Sequence, residues 1–363
     1  MKRMFLVFTP YQLMAVINII KNNSFNDAQV VMLNENMEKY YKNCTEKLDC
    51  DFFLIPQLYD NTFSGDSFST KLILLFRLIK KRVIVFKEKL FYEKVDELYV
   101  PSDDLSCRAI YYKLKKVNND IKLVLFDDGV GTYVGKLYEE KNFFSKLTFS
   151  LIVTRTFYED IATAYVYHPE LFEKRKNINV KVIKMQKETG EVLNCASEET
   201  LRLYANKKVI FLDQGQKEEW VLECLDKMRN FFLDEEILVK RHPRIKEKID
   251  YSKYTVADDG LPIEIICSFF DFSNCIFVSH SSTGCVTPYL LCDSSSFSFM
   301  LYRVGGEEQR IFNEIDRYLD AICEKSKKKW LYIPQSVAEF EHEISEICNE
   351  VTGTRKNCKN EKI

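Results

Sequence analysis

The sequence predicts an α/β protein built as two Rossmann-like halves, and three observations predict it. Short apolar runs recur along the chain at spacings that leave room for helices between them. Most of these runs stop abruptly on acids, glycines, hydroxyls or a basic cluster, as strands do where they leave a sheet. A polar stretch over 186–206 separates the first series from the second. At 363 residues the chain exceeds one ordinary core and suits two domains of ~150 to 200 residues.

The first series opens with "RMFLVF" (3–8), a strand buried on both faces. Thr9-Pro10 turns the chain into a helix from Tyr11 to about Asn22, with apolar residues at Leu13, Ala15, Val16, Ile17, Ile19 and Ile20. "AQVVML" (28–33), "DFFLIP" (51–56), "ELYVP" (97–101) and "KLVLF" (122–126) repeat the strand pattern. In the second series "KKVIFLDQG" (207–215) is a strand with a polar turn, followed by a helix from about Lys217 to Leu233. "EILVKRHPR" (236–244) ends a strand on cations, "CIFVSHSSTG" (275–284) ends one on hydroxyls, and "WLYIP" (330–334) is the last. These boundaries give an N-terminal domain over 1–195, a C-terminal domain over 205–335, and a helix and frayed tail over 336–363.

Composition narrows the function classes. Hydrophobic residues are 46% and charged residues 29%, which is globular, and no apolar run approaches the ~20 residues that span a bilayer. "MKRMFLVFTPYQL" is apolar for too short a stretch, and lacks the small-residue cleavage site, to read as a signal peptide, so a cytoplasmic location is expected. The 12 cysteines are scattered, with no C-x-x-C pair and no histidine at ligand spacing, which fits free buried thiols better than a metal or a disulfide framework. A net charge of -2 supplies no global basic field for nucleic acid.

In parallel sheets ligands bind beyond the carboxyl ends of the strands, and the polar clusters fall there. Asp127-Asp128-Gly129 belongs to the first half; Lys240-Arg241-His242-Pro243-Arg244 and Ser279-His280-Ser281-Ser282-Thr283-Gly284 belong to the second. Hydroxyls and free amides at a helix start bind phosphate oxygens. His242 can protonate or hydrogen-bond a departing phosphate while Lys240, Arg241 or Arg244 adds charge, and Asp127 or Asp128 can take a proton from an incoming hydroxyl. Each signal has a plain structural competitor: Asp-Asp-Gly as a turn, His-Pro as a helix entry, Ser-Ser-Thr-Gly as a cap. His168-Pro169 repeats the second pair in a segment with no basic neighbours, which reads as chance, and Asp258-Asp259-Gly260 repeats the first with no apolar strand before it and is expected to be a loop. Asp213 of "FLDQGQ", also at a strand end, is a reserve base or else a helix N-cap.

The order of these motifs resembles the bacterial sialyltransferases, whose pattern is an acidic D/E-D/E-G motif, an HP motif and a paired Ser/Ser-Thr motif. "FLVFTPYQLM" and the "LPIE" of Leu261 to Glu264 are similar to glycosyltransferase family fifty-two, the lipooligosaccharide and capsule sialyltransferases, and the likeness runs from residue 5 to about 290. The resemblance implies a GT-B fold with two Rossmann-like domains facing across a cleft, CMP-sialic acid as donor, no metal or other cofactor and accordingly no D-x-D metal signature, and inversion at the anomeric centre. It places the base at Asp127 or Asp128, leaving-group assistance at His242, and phosphate contacts at Ser281, Ser282 and Thr283. Glu264 would take the ribose hydroxyls, with Lys240 and Arg244 nearby, and Thr9, Tyr11 and Gln12 would line the cleft.

The expected partners are therefore CMP-sialic acid and a glycan acceptor, galactose-terminated and lipid-linked, with an α2,3 linkage resting on the resemblance alone. Two other readings stay open: a transferase for another sugar nucleotide, and a non-catalytic nucleotide- or glycan-binding protein of capsule assembly. A homodimer is compatible with the sequence and not specified by it. Residues 71–94, "KLILLFRLIKKRVIVFKEKLFYEK", interleave apolar residues with lysines and arginines. They fit either peripheral contact with an anionic inner-membrane surface or a buried helix and strand with solvent-facing lysines.

Overall fold

The computed structural model describes residues 1–34, 37–55, 89–129, 131–133, 157, 160–175, 179–186, 197–215, 219–242, 249–258, 260–267, 269–292, 295–304, 310–324 and 328–352. The chain divides into two compact units, 1–195 and 196–363.

In the first unit β1 (Arg3–Val7) leads through Thr9 into α1 (Pro10–Asn22), then β2 (Ala28–Met32), α2 (Glu38–Lys47), β3 (Asp51–Leu54), β4 (Glu97–Val100), α3 (Leu105–Val117) and β5 (Lys122–Phe126). β6 (Ile161–Val166), α4 (Pro169–Arg175) and β7 (Lys181–Lys184) complete it. The sheet order is β3-β2-β1-β4-β5-β6-β7, and every pair is parallel. Helix α1 starts where it does for three local reasons. Thr9 is extended and its hydroxyl accepts from the Gln12 amide, Gln12 reciprocates, and Pro10 occupies the first turn, where no amide partner is needed. The apolar face of α1 then buries Leu13, Val16 and Ile20 against the sheet.

The second unit repeats the plan. α5 (Glu198–Tyr204) precedes β8 (Val209–Asp213), α6 (Glu219–Met228), β9 (Ile237–Arg241), β10 (Thr255–Ala257), α7 (Ile263–Ile266), β11 (Ile276–Ser279), α8 (Thr287–Cys292), β12 (Phe297–Met300), α9 (Arg310–Cys323), β13 (Leu331–Tyr332) and α10 (Val337–Thr352). Its sheet runs β10-β9-β8-β11-β12-β13, again all parallel. The final helix belongs to this core: Phe340, Ile344, Ile347 and Val351 pack with Val221, Leu225 and Phe299.

In both sheets the direction of strand addition reverses beside the first strand, between β1 and β4 and between β8 and β11. Such switch points leave a crevice at the carboxyl ends of the two strands, where ligands bind in this architecture. The crevice is a property of the connectivity, so each unit has its site location fixed before any side chain is considered.

Four sequence expectations change. Asp258 does follow a strand, β10, which is too short at three residues to be seen as an apolar run. The polar stretch 186–206 holds helix α5, capped by the Ser197 hydroxyl accepting from the Thr200 amide. Strands β6, β7 and β12 were not expected at all. Asp49-Cys50-Asp51 has the D-x-D spacing of some metal sites, but it lies at the amino end of β3, the wrong end for the crevice. Of the basic segment 71–94, residues 71–88 lie outside the described residues; Lys89–Tyr92 form one 3-10 turn that buries Leu90 and Phe91 and exposes Tyr92. No helix among the described residues is long and apolar enough to cross a membrane, and Cys44, Cys50, Cys107, Cys224, Cys267, Cys275, Cys285, Cys323 and Cys348 are free thiols.

Candidate active site

The first unit gathers its polar residues at the carboxyl ends of β1, β4, β5 and β6. Asp127 is wholly buried. Its Oδ1 accepts from the Tyr11 hydroxyl and the Gly129 amide, each at 2.8 Å, and its Oδ2 accepts from the Tyr133 hydroxyl and the Tyr167 amide (3.1 Å). Four donors occupy the carboxylate, so it has no lone pair directed outward. Asp127 is thereby an anchor that ties the β1 turn, its own turn and the end of β6 to one point. Gly129 has φ of 78°, the left-handed conformation this turn requires.

Asp128 is held differently. Its Oδ1 accepts from Gln12 Nε2 at 2.5 Å and its backbone amide donates to the Thr132 hydroxyl at 2.6 Å. Its Oδ2 takes no hydrogen bond from the described residues. Burial, helped by the neighbouring Asp127 and Asp104 carboxylates and opposed by Gln12, pushes the Asp128 carboxyl up to about 7. Asp104, the N-cap of α3, is itself raised by burial. A carboxyl oriented by one hydrogen bond, open at its second oxygen and poised near neutrality is the form a general base takes.

The raised value has a stability consequence with a definite sign. Unfolded, Asp128 titrates near ~4, so the native state holds its proton to higher pH than the unfolded chain. Its contribution is fully present below about pH 4 and is lost as pH rises through about 7, where the fold must carry a poorly solvated charge. Asp128→Asn is therefore expected to raise Tm at about pH 8 relative to wild type and to give no gain at about pH 4. Thermal melts at the two pH values check it; equal shifts at both would refute the assignment.

Thr9, Tyr11 and Gln12 were expected to line the site, and the geometry gives them structural duties there. Thr9 Oγ1 caps α1. Tyr11 holds Asp127. Gln12 spans both tasks, accepting from the Phe8 amide at 2.7 Å through Oε1 while Nε2 fixes Asp128. Three further residues escaped the sequence. Tyr133 stacks edge-on to His168 at 5.7 Å, its hydroxyl oxygen also accepts from the His168 amide at 3.1 Å, and Tyr167 caps Asp127. His168-Pro169, set aside as a chance repeat, thus follows β6 directly into this cluster.

In the second unit the corresponding strand ends carry the His-Pro and serine motifs. Asp213-Gln214-Gly215 reproduces the Asp127-Asp128-Gly129 turn: Asp213 Oδ1 accepts from the Gly215 amide at 2.8 Å and Gly215 has φ of 76°. The turn joins two motifs. The Asp213 carbonyl accepts from the His242 amide at 3.1 Å, and Gln214 Oε1 accepts from the Ser281 amide at 2.8 Å. Asp213 is 2% exposed, and its Oδ2 is buried without a hydrogen bond, beside Tyr251, whose hydroxyl is raised by burial and by that carboxylate. That oxygen is closed off from solvent, whereas Asp128 is only partly buried.

Ser279, Ser281 and Ser282 form the turn after β11. The Ser282 amide donates to Ser279 Oγ at 3.1 Å, and Ser279 Oγ donates in turn to the Ser282 carbonyl at 3.2 Å, closing a small ring. Ser281 and Ser282 keep half-buried side chains at the crevice. Thr283 begins the 3-10 turn Thr283–Cys285; its side chain and all of Arg244 lie outside the described residues. Lys240 is buried at 5% exposure, and its charge acts on Glu264, whose carboxyl burial raises while Lys240 opposes the rise. His242 is exposed at the end of β9.

Glycine at 284 is what lets α7 reach this turn. A Cβ there would lie 2.8 Å from Ile263 Cγ2 and 3.4 Å from Leu212 Cδ1, and the β-branched methyl cannot swing aside. Gly284→Ala is expected to destabilise the protein by about 1–3 kcal/mol, the usual cost of overpacking. Denaturant titration measures it, and a loss under ~0.5 kcal/mol would show that the Glu264 helix is not pressed against the serine turn.

The described residues contain no group of three His, Cys, Asp or Glu side chains arranged to hold a metal. Comparison with known proteins gives a family and a fold. A model described as alpha-2,8-polysialyltransferase matches residues 3–300. No curated protein matches the chain by sequence. Among solved structures, UGT89C1 of Arabidopsis thaliana aligns at 11% identity and TM-score 0.57, over 96% of this chain and 90% of its own. The spinosyn forosaminyltransferase SpnP aligns at 10% identity and TM-score 0.54 (96% and 91%), and the calicheamicin glycosyltransferase CalG4 at 11% and 0.53 (96% and 90%). At such identities the likeness is one of fold: two Rossmann-like units, the fold of the GT-B glycosyltransferases.

Proposed function

The chain belongs to the alpha-2,8-polysialyltransferase family, a bacterial sialyltransferase type of glycosyltransferase, and from that premise we propose that it transfers sialic acid from CMP-sialic acid with inversion. The observation that carries the reading is the division of labour between Asp127 and Asp128, one carboxylate saturated by four donors and the other open at one oxygen and poised near neutrality.

In the proposed reaction Asp128 Oδ2 removes the proton from the acceptor hydroxyl as its oxygen bonds to the anomeric carbon of sialic acid. The bond from that carbon to the CMP phosphate breaks, and its electron pair stays on the phosphate oxygen. Charge grows there, and His242, with the hydroxyls of Ser281 and Ser282, hydrogen-bonds it. Glu264 is assigned to the ribose hydroxyls, with Lys240 holding it in place; Arg244 and Thr283 remain proposed phosphate contacts. These cationic and hydroxyl groups make a metal unnecessary in the scheme. Asp128 lies in the first unit and the donor residues in the second, so proton removal is assigned to one and nucleotide binding to the other.

For the acceptor, the family description favours the 8-hydroxyl of a terminal sialic acid. The likeness of "FLVFTPYQLM" to family fifty-two favours a terminal galactose and an α2,3 bond instead, on a capsule or lipooligosaccharide glycan at the inner membrane face. Incubation with CMP-sialic acid and paired oligosaccharides ending in galactose or in sialic acid, followed by linkage analysis, decides between them. Elongation of the sialylated acceptor alone supports the first; sialylation of galactose alone supports the second. Transfer to neither in a folded preparation that binds CMP would leave the chain a binding protein.

A further inference from the structure

Ser281 is held at both of its polar ends by residues to which the reaction above assigns nothing. Its amide donates to Gln214 Oε1 at 2.8 Å, and its Oγ lies 3.1 Å from His280 Nδ1. His280 is 7% exposed, at the end of β11, and its ring lies 5.7 Å from that of Trp220 on α6 at an interplanar angle of 35°. Ser282, by contrast, is fixed through its backbone to Ser279. The turn that carries Gln214 also pins His242 through the Asp213 carbonyl, so the spacing of the histidine and the serine is set from one place.

We propose that His280 and Gln214 are positioning residues that aim the Ser281 hydroxyl proton at the donor phosphate. A serine hydroxyl has one proton to give and two lone pairs. If it donated to Nδ1, a lone pair would face the anionic phosphate. With the imidazole proton on Nδ1, Ser281 Oγ accepts from His280 and its own proton is left for a phosphate oxygen. Trp220 packs against the imidazole, and Gln214 keeps the serine from following the substrate out of register. The inference rests on the donor-site reading above and deepens it.

Calorimetric titration with CMP tests it on wild type, His280→Ala, Ser281→Ala, the double variant, and the pair His280→Asn and His280→Gln. An asparagine amide reaches the Nδ1 position and a glutamine amide does not. His280→Ala is expected to weaken CMP about 10-fold, and to change affinity by less than about twofold when Ser281 is already alanine, because the contact acts through that hydroxyl. His280→Asn recovers most of the affinity and His280→Gln does not, a comparison that stands even if the alanine variant fails to fold. Equal losses in both serine backgrounds, or Asn and Gln behaving alike, would overturn the positioning role while wild-type CMP binding kept the donor reading intact. Absence of CMP binding by folded wild type would overturn both.

Discussion

Replacing Asp128 with alanine is expected to lower kcat by a factor on the order of 10² to 10⁴ while CMP affinity stays nearly unchanged. The expectation follows from geometry before it follows from titration. Of the two adjacent acids, only Asp128 has an oxygen that no described donor occupies. Its carboxyl, pushed up to about 7, must be ionised to accept a proton, so wild-type kcat should rise as pH climbs through about 7. That limb should disappear from whatever activity Asp128→Ala retains. Asp127→Ala should also be damaging, by a different route: it removes the acceptor that the Tyr11 and Tyr133 hydroxyls and the Gly129 amide use here, and one of the two acceptors of the Tyr167 amide, so its loss should appear in stability as well as in rate. Steady-state kinetics across pH, beside thermal melts, separates the two. An Asp128→Ala enzyme with the wild-type rate would remove the base from this residue.

His242→Ala is expected to lower kcat by about 10²-fold, with a smaller change in donor KM. The side chain is exposed at the crevice while its backbone amide is tied to the Asp213 carbonyl at 3.1 Å, so truncation should leave the strand end in place. The charge it meets is larger in the transition state than in the bound donor, which is why the loss should fall on kcat. A loss confined to KM would make His242 a binding residue only.

How much of this could be read from the sequence depended on whether the signal was local. Strand β1 and helix α1 were legible because a continuous apolar run meets a Thr-Pro cap, and both facts lie within a few residues. Strand β6, "IATAYV", was not, because small and hydroxyl residues break its apolar run and its place is set by pairing with β5 across an irregular register. The same division holds at the site. Asp127 and Asp128 stood out at a strand end, but their different duties arise from Tyr133, from Tyr167 forty positions downstream, and from Gln12 far upstream. The roles of Gln214 and His280 likewise needed β8 and β11 side by side, an adjacency that the crossover creates and no short motif encodes. His168 was dismissed for its neighbours in sequence, whereas its neighbour in space is Tyr133.

We propose that the crevice beside β8 and β11 takes CMP-sialic acid. The most direct test is to incubate the purified chain with a glycan acceptor and, in separate reactions, CMP-sialic acid, UDP-sugars and GDP-sugars, and to measure the nucleotide released with transfer. Release of CMP together with sialylated product is expected, with no turnover of the UDP- or GDP-sugars. Transfer from a UDP- or GDP-sugar, with CMP-sialic acid left intact, would contradict it.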